Sequence, residues 1–215
     1  MKSTIKLNWF LVFLFICANV TTAVAQSKDD ILAGSANITF LGLDFSQTKF
    51  IGEATQFKDA GAITNNEFRD KYAPGWNELF VNEEKKYDVA KAIDYKKDIP
   101  YALDVTDKAN SKIKKPNFFS NDLNDYKKLT ADKIAGLVKK YNFQGKSGVG
   151  LIIFIEGMSK GKEEAGAWVA YVDMKSKKIL LSGYVTGKSG GFGFKNYWAK
   201  AFLNILKDAE PKKLS

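Results

Sequence analysis

The stretch from Gly148 to Asp208 constrains this chain more than any other part of it. It holds the runs Gly-Val-Gly-Leu-Ile-Ile-Phe-Ile-Glu-Gly, Ala-Gly-Ala-Trp-Val-Ala-Tyr-Val-Asp-Met and Lys-Ile-Leu-Leu-Ser-Gly-Tyr-Val-Thr-Gly. Each is of strand length, rich in β-branched and aromatic residues, and bounded by Gly, Lys or Ser turn signals. The first two are nearly unbroken apolar runs, as strands covered on both faces require. Beyond them Phe194, Tyr197, Trp198, Ala201, Phe202, Ile205 and Leu206 follow the i, i+3, i+4, i+7 pattern of a helix with one broad apolar face. The spacing predicts an antiparallel meander closed by a helix lying on it, and this unit is the expected core.

Upstream, Ile38 to Phe45 reads as a first strand, with a second extended piece around Phe50-Ile51. Thr64-Asn-Asn-Glu67 has the form of a capping box and starts a helix; Pro74-Gly75 predicts a restart of it. Ile99 to Val105 is a candidate strand with Pro100 near its start. Residues 107–128 are Lys-, Asn- and Asp-rich and read as a polar surface insertion, and 26–36 as a loose arm. Thr130 caps a helix carrying Ile134, Leu137, Val138 and Tyr141, with Gly145 as its terminating glycine. The expected fold class is α/β (α+β): one mixed sheet in the order β-α-β-α-β-β-β-α, forming a single domain over 37–210.

The first twenty-five residues have the form of a secretory leader: Lys2 and Lys6, the apolar stretch Trp9 to Ala18, and a small-residue site at Ala23-Val-Ala25. The apolar run is shorter than the roughly 20 residues of a spanning helix. Cleavage after Ala25 is expected, giving a periplasmic or secreted protein with no transmembrane span. Cleavage also removes Cys17, the one cysteine, so no disulfide is expected. Lys plus Arg falls from 33 to 31 against 24 acids, leaving +7. Arg69 is the one arginine, and the scarcity of guanidinium forks disfavours a nucleic-acid partner.

The chain has no histidine. Ser-His-Asp triads, Cys-His pairs and His/Cys zinc sites are therefore excluded, and neither a cofactor nor a metal is expected. Three carboxylates interrupt apolar runs: Asp44, Glu156 and Asp173. Two of them facing each other across a cleft at roughly 5–9 Å would support glycoside hydrolysis; set apart, they are turn caps or solvated strand ends. The two Gly-Lys-Ser triplets, at 145–147 and 187–189, lack the spacing and strand-to-helix setting of a phosphate-binding loop.

The segment Gly187, Lys188, Ser189, Gly190, Gly191, Phe192, Gly193, with Lys195 just beyond, is the candidate ligand or partner site. Four glycines free the backbone, and the segment delivers the chain to a helix N-terminus where amides and lysines favour an anion. Phe192 discriminates the two roles: buried, it marks packing; exposed, it marks partner contact. Trp76, beside Pro74-Gly75, is the tryptophan expected at a surface.

The run Ala-Trp-Val-Ala-Tyr-Val-Asp-Met-Lys-Ser-Lys-Lys-Ile-Leu-Leu-Ser-Gly, within 165–183, and the closing helix resemble small bacterial envelope domains. These are the TolB amino-terminal domain, the LpoB-type activators of peptidoglycan synthases and the CsgG-like lipoprotein domains. The resemblance implies a non-catalytic role in assembly or partner binding, with no catalytic residues to carry over. The expectation is therefore an exported binding protein whose partner is an envelope protein or an anionic ligand. It would act through the glycine loop and the hairpin tip Met158 to Glu164. The alternatives are a carboxylate-dependent glycan hydrolase and a lysine-rich binder of acidic polymers.

Overall fold

The structure is a computed structural model, and it describes residues 26–52, 63–114 and 116–215. The expected leader, with Cys17, lies outside the described residues. The fold is α/β: an open, mixed, six-stranded sheet with helices packed against it. Its strands are β1 (Ile38–Asp44), β2 (Lys49–Ile51), β3 (Phe119–Ser120), β4 (Val149–Ser159), β5 (Glu164–Asp173) and β6 (Lys178–Lys188). The order is β3-β2-β4-β5-β6, and β1 also lies along β4. Strands β4, β5 and β6 form the expected antiparallel meander.

The central strand β4 is buried along its whole length. Both β1 and β2 run parallel to it on the same side, β1 opposite Val149–Phe154 and β2 opposite Gly157–Ser159. Between them Thr48 Oγ1 donates to the Ile155 carbonyl at 2.6 Å, pinning the step from one strand to the next. Alternation then sorts the side chains. Leu151, Ile153, Ile155, Val169 and Tyr171 point to one face, and Ile152, Phe154, Ala170 and Val172 to the other. The first face carries the larger core, closed by α8 (Phe194–Lys207), whose Trp198, Phe202 and Ile205 are buried there. The second is covered by α6 (Asp104–Ser111) and α7 (Ala131–Lys140) through Val105, Ile134 and Val138.

Several helices are shorter than their sequence signals suggest. In the segment 26–36, expected as a loose arm, Ser27 and Asp30 form a capping box on α1 (Lys28–Leu32), and Ile31 and Ala36 are buried. Thr64 caps α2 (Asn65–Glu67) as expected, and a π-helical segment, Phe68–Tyr72, leads directly into α3 (Ala73–Asn77). The inserted residue of a π-turn rotates the downstream helix about its axis. Trp76 accordingly faces the core: it is fully buried among Phe45, Phe68 and Phe202, and its indole N–H donates to the Lys195 carbonyl at 2.9 Å. That corrects its expected surface position. Short helices α4 (Leu79–Asn82) and α5 (Val89–Ala92) come next, and α9 (Pro211–Leu214) ends the chain.

The expected strand Ile99 to Val105 shrinks to one parallel bridge, Phe40 to Tyr101, and α6 begins at Asp104. The outer edge of β1 is closed by side chains instead. Thr106 donates to the Leu41 carbonyl, Asn77 accepts from the Leu43 amide at 2.7 Å, and Asn110 accepts from the Phe45 amide at 2.8 Å. Gly42 makes this approach possible: it has φ +99°, and a Cβ there would lie 2.6 Å from Thr106 Oγ1. The polar insertion 107–128 is also more ordered than its composition implies. It contributes β3 and a 3₁₀ turn, Leu123–Tyr126, and buries Phe118 and Tyr126. Helix α7 ends at Lys140, with Tyr141 at its cap and Gly145 four residues further on, so Gly145 is not its terminator.

Candidate functional site

Two segments that the sequence leaves unconnected meet at one end of the sheet. The β4–β5 hairpin tip and the loop after β6 are brought together because β5 pairs with both neighbouring strands over its full length. The Ser189 amide donates to the Glu163 carbonyl at 2.9 Å, and Lys188 Nζ reaches Glu164 at 3.3 Å. The loop is also fastened to α8. The Gly190 amide donates to the Tyr197 carbonyl at 3.1 Å, and Asn204 Nδ2 donates to the Lys188 carbonyl at 2.8 Å. Lys160 Nζ stands 4.1 Å from the centroid of the Tyr197 ring.

The glycines of this loop divide into two kinds. At Gly187 a Cβ would collide with the Ala201 carbonyl and lie 2.9 Å from Ile205, so this glycine lets α8 close on β6. Gly190 has room, its nearest contact being Lys200 Cγ at 4.0 Å; Gly191 has room but a φ of +103°. Gly193 has φ +80° and turns the chain into α8. Between Gly191 and Gly193, Phe192 is 95 % exposed. A phenylalanine held that far into solvent on a braced loop is not packing against its own fold. Lys195 is exposed and extends towards α3, where its Nζ would be 3.3 Å from a Cβ at Gly75.

The three candidate carboxylates do not form one site. Asp173 closes the β5–β6 turn, accepting from the Lys175 and Ser176 amides at 2.9 Å each. It pairs with Val149, at the opposite end of β4 from Glu156. Asp44 and Glu156 are not solvated strand ends; they are 1 % and 2 % exposed. Asp44 accepts from the Ser46 amide at 2.6 Å and from the Tyr141 hydroxyl. Burial pushes its carboxyl above the usual range against these hydrogen bonds, and Tyr141 is held well above the ordinary phenol range by burial and by the Asp44 charge. A cavity of about 230 Å³ opens beside it, lined among others by Ser46, Lys108, Lys140 and Gln144.

Glu156 is not in that wall. It is the extra residue of a bulge in β4, between the Ile155–Ala167 and Gly157–Gly166 pairs, and the bulge aims it under residues 126–129. There its Oε1 accepts from the Lys128 and Leu129 amides, while Gly157 leaves space for the Tyr126 backbone. Burial raises this carboxyl too. Its Oε2, with Trp168 Nε1 and Tyr184 Oη nearby on the same sheet face, is buried without a hydrogen-bond partner. Glu156 thus docks the insertion onto the sheet, and the cavity beside Asp44 is lined by neither Glu156 nor Asp173. Among the described residues no group of three metal-ligating side chains occurs, and no helix is long and apolar enough to cross a membrane.

Of the sequence-predicted site, Lys188, Ser189, Gly190, Gly191 and Phe192 are gathered at the sheet end, and Gly187 belongs to the packing beneath. Sequence reasoning missed Lys200, which lies one turn along α8 from Tyr197 against the loop, and Asn204, which holds it. Their i, i+3, i+7 spacing from Tyr197 was the available signal. No family model, curated protein or solved structure matches this chain.

Proposed function

We propose that this chain is a non-catalytic binding protein of the cell envelope or exterior. Its contact surface is the sheet end made by the loop 188–193 and the hairpin turn 160–164; Met158 and Ser159, at the base of the hairpin, are buried in β4. One observation carries the reading: Phe192 is almost wholly exposed on a loop tied by hydrogen bonds to both the hairpin and α8. Exposing an aromatic forfeits the roughly 1.5–3 kcal/mol that its burial would contribute, so an ordered exposed phenylalanine is best accounted for by a partner. The leader-like first twenty-five residues support export. Asp173 caps a turn at the far end of β4, Glu156 is taken up by the Lys128 and Leu129 amides, and the cavity beside Asp44 is lined by neither, which favours binding over hydrolysis.

Phe192→Ser is the direct test. The variant is expected to melt within about a degree of the parent, since no packing is lost, and to lose at least tenfold in capture of the chain by an envelope extract. Undiminished capture would rule this surface out.

A further inference from the structure

The partner at this surface can be specified further, on the reading just given. The feature is a single aromatic at the tip of a convex loop, with lysines around it. Lys162, Lys188 and Lys200 are exposed, and Lys160 lies over Tyr197 at the base of the loop. The acids at this end are Glu163, which is exposed, and Glu164, which is engaged by Lys188 and by the Tyr126 hydroxyl. The local balance is therefore positive.

A protein partner would normally require a larger patch, about 800 Å² on each side with several anchors seated in pockets. Here one side chain projects, and its neighbours are flexible ammonium groups rather than the planar guanidinium forks favoured in fixed interfaces. An anionic bilayer has no fixed shape to match. It accepts a lone aromatic at the headgroup level and attracts each lysine close to its surface. We infer that the loop tip docks this protein on anionic membrane surfaces, with Phe192 entering the interface and Lys162 and Lys200 facing the headgroups. One apolar wedge with a few lysines gives reversible attachment, not anchoring.

The test uses the full chain with vesicles of neutral phosphatidylcholine, and with vesicles in which part of that lipid is replaced by anionic phosphatidylglycerol. Phe192→Trp places a fluorophore at the tip; its spectrum is read as the difference from the parent, which cancels Trp9, Trp76, Trp168 and Trp198. The expected result is a blue shift on anionic vesicles that disappears at high salt and on neutral vesicles. Lys162→Gln and Lys200→Gln should each weaken binding roughly fivefold with unchanged melting, as suits one cation near an anionic surface. Residues 1–25 are common to all variants, so only the Phe192-dependent fraction is counted. A tip that stays in water, or that enters neutral and anionic vesicles alike, would overturn the inference. If vesicles fail while a detergent-cleared extract is still captured through Phe192, the partner is a protein: the membrane inference falls and the sheet-end reading stands. Loss of both would remove both.

Discussion

Gly187→Val is expected to destabilise the chain by roughly 3 kcal/mol or more, at the upper end for overpacking a closed core. Gly187 lies at the end of β6 where α8 crosses it, and even one Cβ there would overlap the Ala201 carbonyl and press on the Ile205 backbone. Two of these contacts are backbone atoms of α8, so moving the Ile205 side chain alone cannot relieve them. The helix would have to lift from the strand, and its buried Trp198, Phe202 and Ile205 would lose contact with the sheet. For a domain of this size the melting point should fall by roughly 6–12 °C. At Gly190, three residues on, a Cβ meets nothing closer than the flexible Lys200 side chain at 4.0 Å, and Gly190→Val should leave the melting point nearly unchanged. A comparable loss at both positions would show that the loop is as tightly packed as the strand, leaving no ordered but free tip.

The other large effect is expected at Asn77. Its side chain accepts from the Leu43 amide and donates to the Leu43 carbonyl at 3.2 Å, both in the interior, and to the half-buried Asp107 at 2.7 Å. It fills the place where a neighbouring strand would otherwise satisfy β1. Asn77→Ala leaves the Leu43 amide buried without an acceptor, since Asn110 can replace only the bond to the carbonyl. One orphaned buried amide costs about 1–3 kcal/mol, and the loss of a bond to Asp107 adds to it, so a destabilisation of about 3 kcal/mol by denaturant titration is expected. A change below about 1 kcal/mol would mean that water reaches this edge and that β1 is not sealed by side chains.

These two residues also show what the sequence could and could not convey. The meander and α8 were legible because their periodicities, two and 3.6, are set by which faces are buried, and here the buried faces are long and unbroken. The edge of β1 was not. Ile99 to Val105 has strand-like composition, but Pro100 and the cap of α6 confine its pairing to Tyr101, and polar side chains from distant parts of the chain complete the edge. No local pattern announces a contact between Asn77 and Leu43. Trp76 was misplaced because it stands beside Pro74-Gly75: that dipeptide is a turn signal in sequence, but it lies inside α3, which continues directly from the π-helical segment Phe68–Tyr72.

The candidate site was half readable. Glycine density and a phenylalanine between glycines singled out the loop, while its neighbourhood with the hairpin tip depends on the register of β5 against two strands. Asp44 and Glu156 stood out as interruptions in apolar runs. Their burial against Tyr141 and against the Lys128 and Leu129 amides follows from a tertiary arrangement that spacing does not encode.

If the sheet end is the working surface, hydrogen exchange measured on the chain with and without envelope membranes tests that most directly. Added protection confined to peptides covering 160–164 and 188–193 is the expected result. Protection concentrated instead around Asp44, Lys108 and Tyr141, at the buried carboxylate and its cavity, with the loop unchanged, would contradict it.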